Sequence, residues 1–351
     1  PFPFVEDYFS VKFGYEEGLL DSTRQGWMPE SRAMLSPFLH HKYLYGKGNI
    51  NENFNVYGGI HHVAMWGGEY HGVGNYKPGE LDVNYYYIIT GRIFEHIFNL
   101  DNPIDLPANH FFSKELGVSY YPNGAEQISW GRRNEQMPTR LRLYWQTIED
   151  NFPGWIKNNI ADGLLGFEWV NGSNDFYAIK KLVFEFLNTT SGDESYFCHS
   201  MYCSGYTYDG YTIGTPFITS PILQAGTNYS IPNSCLKAYY LGINGGIGAI
   251  RRRIGLQRDT WVNYRLITSF SQNSGKPGSY YETPKNAFSF MLEVDFPIRI
   301  NRDFHFNIGV QAAADMGSMY SNNYGMLLKI YKDLNLREES FPDIRDWFRR
   351  R

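Results

Sequence analysis

The chain has 351 residues with a formal net charge of -4 and no basic domain, which argues against nucleic acid as a partner because nothing stands ready to neutralise phosphates. Aromatic residues make up 17%, with 28 Tyr and 25 Phe, while charged residues make up only 19%, a balance unlike that of an ordinary soluble enzyme. No window approaches the roughly 18 consecutive apolar residues of a membrane helix, so a membrane-spanning chain of this composition would have to be a closed β-barrel.

Taken in order, the candidate elements alternate with period two, the mark of strands with two unlike faces. Phe9, Val11, Phe13 and Tyr15 alternate with Ser10, Lys12 and Gly14. Leu141, Leu143 and Trp145 interleave with Arg140, Arg142, Tyr144 and Gln146; Leu165, Phe167 and Trp169 with Gly166 and Glu168; Leu182, Phe184 and Phe186 with Lys181, Val183 and Glu185. In the last third, Val262, Tyr264, Leu266 and Thr268 set against Asn263, Arg265, Ile267 and Ser269. Phe288, Phe290, Leu292 and Val294 set against Ser289, Met291, Glu293 and Asp295, and Phe304, Phe306, Ile308 and Val310 against His305, Asn307, Gly309 and Gln311. A final strand is expected at about 324–332, with a charged, periplasmic tail over 335–351.

The spacing of these strands, their nearly pure apolar faces and the aromatics near their ends predict an all-β fold. The expected architecture over 1–334 is a transmembrane antiparallel β-barrel of about 16–18 strands with long outer loops. Long connections are expected at 17–36, 67–81, 99–113, 149–161, 188–234 and 272–285, and a tight turn at Asn171-Gly172-Ser173-Asn174. The chain starts at Pro1 with no visible signal peptide, which fits a mature or truncated chain.

Two groups of residues could carry function. The first is a polar ladder facing the lumen: Arg140, Arg142, Glu168, Lys181, Glu185, Arg265, Glu293, Asp295 and His305. With acids and bases mixed, it reads as a salt-bridge network stiffening the wall, or as a lining that selects charged solutes. The second is aromatic and polar loop residues: Trp66, Glu69, Tyr70, His71, Tyr76, Tyr206, Tyr208 and Tyr211. Flat rings beside hydrogen-bonding groups suit the apolar face and hydroxyl rim of a sugar; the same rings could instead pack a lid or an interfacial girdle. Cys198 and Cys203 could close a loop disulfide or remain free thiols, and the third cysteine, Cys235, leaves at least one unpaired. His61 and His62 are adjacent, so in a strand only one of them could join a site with His71, Glu69 and Asp82. No serine carries a local mark of activation, so no catalytic site, metal or cofactor is expected.

Three blocks resemble the capsule assembly Wzi family of outer-membrane barrels, in a divergent, Tyr-rich branch. The first is Gly58-Gly59-Ile60-His61-His62-Val63-Ala64-Met65-Trp66-Gly67-Gly68. The second comprises Glu149-Asp150, Asn158-Asn159 and Asp162-Gly163-Leu164, and the third is Gly210-Tyr211-Thr212-Ile213-Gly214-Thr215-Pro216. The resemblance, over about 1–334, implies a large barrel occluded by loops and a lectin-like, non-enzymatic role in anchoring or assembling surface polysaccharide. It implies as partners the outer membrane with its lipopolysaccharide, a surface polysaccharide and other outer-membrane proteins. Family members carry more chain before this point, including a periplasmic helical portion and early strands. The alternative expectation is a passive porin-like channel or an accessory subunit of an export or secretion complex.

Overall fold

A computed structural model describes residues 2–5, 8–22, 33–71, 108–124, 138–150, 161–172, 178–191, 205–220, 231–247, 262–299 and 305–332. Every described element is a β-strand: β1 (Phe2–Val5), β2 (Phe9–Leu19), β3 (Ala33–Leu35), β4 (Phe38–Asn49), β5 (Phe54–Trp66), β6 (Glu69–His71), β7 (Ala108–Tyr120), β8 (Arg140–Thr147), β9 (Glu149–Asp150), β10 (Gly163–Val170), β11 (Lys181–Asn188), β12 (Thr207–Tyr208), β13 (Tyr211–Thr212), β14 (Cys235–Ile247), β15 (Val262–Lys276), β16 (Ser279–Arg299), β17 (His305–Gly317) and β18 (Asn323–Tyr331). Fourteen of them form one antiparallel sheet in the order β1-β2-β4-β5-β7-β8-β10-β11-β14-β15-β16-β17-β18, with β9 added beside β7. β12–β13 and β3–β6 are separate two-stranded pairs. The charged tail over 335–351 lies outside the described residues.

The register gives the sheet two opposite characters. One face carries rows such as Val118–Leu143–Phe167–Phe184–Leu241 and Leu266–Leu292–Ala312–Met326, matched strand to strand. These apolar side chains are exposed: Phe13 is 64% accessible, Leu143 56% and Met326 83%. The opposite face carries polar side chains, among which Glu168, Glu293, Asn55, Ser119 and Asn273 are buried. The apolar face is thus the exposed one, called outer here, and the polar face, called inner, holds buried side chains.

On β4, β5 and β7 the outward face changes character halfway up. His40, His62, Ala64, His110 and Phe112 are buried there, with His40 bonded to Glu17 and His62 to His110. His61, one residue from His62, points inward to His41 and Tyr45, as strand alternation requires.

Strand order alone leaves curvature open; residues 205–220 decide it. Gly210 N donates to Asp21 Oδ2 at 2.6 Å just past β2, and the Thr219 hydroxyl meets the Tyr320 hydroxyl at 2.8 Å between β17 and β18. In a flat sheet β2 and β17 would stand about ten strand spacings apart, roughly 48 Å at ~4.8 Å each. Residues 210–219 could span roughly 30 Å if fully extended. They are folded back instead, since Thr212 N donates to Ser220 Oγ. The sheet is therefore strongly curled, with both ends of its strand order drawn toward one rim, called upper here, where Leu19, Trp66, Asn188 and Gly317 lie.

Three expectations need correction. The stretch 272–285 is not a long loop: β15 and β16 continue through it and meet at Pro277-Gly278. Proline at the second turn position and Gly278 at φ 75° suit a type II turn, so the Gly-rich composition marks a tight reversal. The loop expected over 99–113 yields to strand from Ala108, whose polar residues continue the alternation. The expected tight turn at 171–174 does not join β10 directly to β11, since Asn171 N donates to Lys180 O, and residues 173–177 lie outside the described residues.

Tyrosine rings on glycines hold the inner face together. Tyr43 lies over Gly14, Tyr45 over Gly59, Tyr57 over Gly117 and Tyr144 over Gly166, each where a Cβ on the glycine would overlap the ring. The Gly166→Val variant is expected to displace Tyr144 and lose about 1–3 kcal/mol. Gly325→Val, where nothing lies within 4 Å of an added Cβ, should cost far less. Denaturant unfolding from lipid vesicles compares the two directly, and equal midpoints would remove the joint from any structural account.

Candidate functional site

The register places all nine residues of the expected polar ladder on the inner face. They gather in clusters. Glu168, its side chain 5% exposed, is paired with Arg140, with Lys181 at 3.0 Å and with Arg142 at 3.5 Å. These partners come from β8 and β11, the two neighbours of β10, so one carboxylate clamps three strands. Glu293 on β16 is paired in the same way with Arg265 on β15 and with Lys329, two strands further along the sheet on β18. Asp295 stands across from Gly309, whose missing Cβ leaves room for its carboxylate. His305 pairs in register with Arg299. Each of the two carboxylates gathers an excess of cations, three at Glu168 and two at Glu293, so these charges tie neighbouring strands together.

Glu185 and its neighbours form a different arrangement, carboxylates held by tyrosines. The Tyr144 hydroxyl donates to Glu185. Tyr45 and Tyr57 donate to the two oxygens of Glu115, at 2.5 Å and 2.9 Å. His61 Nε2 lies 2.6 Å from the Tyr45 hydroxyl, His61 Nδ1 lies 3.0 Å from His41 Nε2, and His41 Nδ1 lies 3.1 Å from Glu16. The result is a continuous hydrogen-bonded chain across β2, β4, β5 and β7. Tyr45, Tyr57, Glu115 and Tyr144 were not singled out from sequence. The available signal was a tyrosine facing a glycine across two strands, which becomes visible only when the register is known.

The upper rim collects the loop candidates. Trp66 is buried (6% exposed), packed on Phe38 at 5.1 Å between ring centroids and clustered with Ala64. The expected sugar platform there is thus corrected to a packing residue, because the strand's outward face is covered at this height. Glu69, Tyr70 and His71 form β6, paired in register with Leu35, Met34 and Ala33. Tyr206 is buried against Leu20 and Met65, and its hydroxyl donates to Asn109 O at 3.2 Å. Tyr208 and Tyr211 face each other across the β12–β13 hairpin and are exposed, at 64% and 55%. Tyr76, Cys198 and Cys203 lie outside the described residues, and Cys235 is a buried free thiol.

Residues 205–220 reach this position through bonds to several walls. Met65, Leu39, Val63 and Phe111 receive Tyr206 on one side; Leu187, Leu236 and Ala238 receive Ile218 and Ile231 on another. Asn233 joins the segment to β15, donating to Asn273 Oδ1 at 2.7 Å and accepting from Thr219 N at 2.9 Å. At Tyr320, in the β17–β18 turn, burial pushes the hydroxyl pKa up and keeps it neutral beside Thr219. All of the inner-face wall residues named here lie at the upper ends of their strands. Among the described residues no group of three or more His, Cys, Asp or Glu is arranged to hold a metal ion.

Replacing Glu168 by Gln leaves Arg140, Arg142 and Lys181 facing one another without their shared anion. The expected loss is about 3 kcal/mol at neutral pH, the scale for removing one partner of a largely buried pair. Arg142→Gln, at the longest of the three contacts, should cost less. Denaturant unfolding in lipid measures both, and an equal or reversed order would dismiss the clamp.

Compared with known proteins, the chain matches no family model, no curated protein and no solved structure.

Proposed function

We propose that the chain is an outer-membrane β-barrel whose upper mouth is closed by residues 205–220, and that it binds and anchors, or helps assemble, surface polysaccharide without catalysis. The observation that carries the membrane reading is the outward face. Exposed Phe13, Leu44, Ile60, Leu143, Leu165, Phe184, Leu292 and Leu328 run around the sheet from β2 to β18. Such an apolar surface far exceeds what a soluble monomer leaves in contact with water. Lipid is the solvent it fits, and inside lipid the free edge of β18 must be paired, which the proposal supplies by closure on the β1 side of the sheet.

The polysaccharide role is supported by the upper rim. The long joins from β2 to β4, β5 to β7 and β11 to β14 leave from that rim, as does the tight turn at Pro277-Gly278. Exposed Tyr208 and Tyr211 sit there on a hairpin anchored by Asp21, which accepts from the backbone of Asp209 and Gly210. Rings fixed on a rigid support suit stacking against a sugar. All three sequence blocks that resemble the capsule assembly family reach this rim: the end of β5, the start of β10 and the inward segment itself. A passive channel would leave the mouth open, and the packing of Tyr206 and Ile218 speaks against it.

Planar-bilayer recording tests the plug. The intact protein should conduct weakly, and replacing residues 206–219 by a short Gly-Ser linker should give large, steady openings; large conductance from the intact protein would favour the channel. Retention of surface polysaccharide on cells tests the role. Tyr208→Ala combined with Tyr211→Ala should release glycan into the medium, and undiminished retention in cells lacking the whole protein would reject anchoring.

A further inference from the structure

We infer that the inner wall formed by β4, β5 and β7 holds a second glycan seat, for an uncharged sugar unit, made by Tyr45, Tyr57 and Glu115; this rests on the polysaccharide reading above. The Tyr45 ring occupies the space a Cβ on Gly59 would need and the Tyr57 ring that of a Cβ on Gly117, so each glycine lets a ring sit close to the backbone. Both rings remain half-buried on the inner face, their centroids 6.4 Å apart. Tilted by 43° to each other, they present two neighbouring aromatic faces, either of which the C–H face of a pyranose can match.

Glu115 supplies the polar half. It accepts one hydrogen bond per oxygen, from Tyr45 and Tyr57, and a carboxylate has about four lone-pair sites. Two acceptor sites therefore remain, and they can receive only donors, such as sugar hydroxyls. The proton order is fixed: Tyr45 gives its hydrogen to Glu115, so His61 Nε2 must donate to the Tyr45 oxygen. That polarity holds the hydroxyl and the carboxylate in place before a ligand arrives, which lowers the ordering cost of binding.

Charge selects the ligand class. The ion-paired cations of the inner wall are engaged elsewhere, Arg140, Arg142 and Lys181 at Glu168 and Arg265 and Lys329 at Glu293. An anionic sugar would be repelled at the point of contact by Glu115, whose carboxylate is held by neutral tyrosine hydroxyls. A cationic one would meet Arg142, whose guanidinium lies 4.7 Å over the Tyr144 ring on the neighbouring strand. A neutral sugar meets neither penalty. The seat lies in the lower half of the wall, below the segment that fills the upper mouth.

The test is calorimetric titration of the detergent-purified full chain with two uncharged probes, maltohexaose and cellohexaose. At least one should bind, and Glu115→Gln should weaken it about tenfold, the loss expected for a hydrogen bond to a charged acceptor. Tyr57→Leu should also weaken binding, and Tyr57→Phe, which keeps the ring on Gly117, should restore most of it; a purely structural role for Glu115 would not produce that pattern. Thermal unfolding of each variant confirms the fold. Failure of the wild-type protein to bind either hexamer, or binding unchanged by Glu115→Gln and Tyr57→Leu, overturns the internal seat. In both cases the cell-retention experiment with Tyr208 and Tyr211 still decides the polysaccharide reading separately.

Discussion

A sheet must put its apolar face somewhere, and here that face points away from the protein. Every other feature follows from this inversion. The polar groups that would decorate the surface of a soluble sheet are turned to the inner face, where the buried ones must find a partner. The inner face answers with matched clusters: a carboxylate on one strand, cations on the strands around it, and tyrosine hydroxyls where no cation is present. Cohesion therefore comes from cross-strand polar bonds on the inner face and from the hydrogen-bonded ladder itself, since many of the outward apolar side chains are left exposed.

The tyrosine–glycine joints belong to the same logic. A tyrosine in a narrow polar interior needs space for its ring and a partner for its hydroxyl. Glycine on the next strand provides the space, and Glu115 or Glu185 provides the partner. Structure and candidate binding surface are thus the same residues: the rings that fix the wall also give it an aromatic lining.

Much of the fold was legible because period-two alternation survives wherever the two faces of a strand meet different surroundings. The runs at 140–147, 182–186 and 288–294 became β8, β11 and part of β16. The polar ladder was legible for the same reason, since alternation alone assigns Arg140, Glu168 and Glu293 to one side. What composition obscured was the Gly-Pro-rich stretch around Pro277, where turn chemistry two residues long looked like a loop. Trp66 misled in another way: an aromatic at a strand end looks the same in sequence whether it is exposed or packed against Phe38. The tyrosine seats were hidden because they depend on residues 14, 58 and 60 positions apart, such as Tyr45 with Gly59, meeting in register. Pairings between strands are not written in any local window.

The segment 205–220 also bears on how the wall is held. It belongs to the chain between β11 and β14, yet its contacts reach from Asp21 to Tyr320. Those two ends of the wall have no direct bond to each other among the described contacts; they meet through the segment. The segment serves as a tie between β2 and the β17–β18 turn, and the separation of those strands is set by how far the stretch from Gly210 to Thr219 reaches.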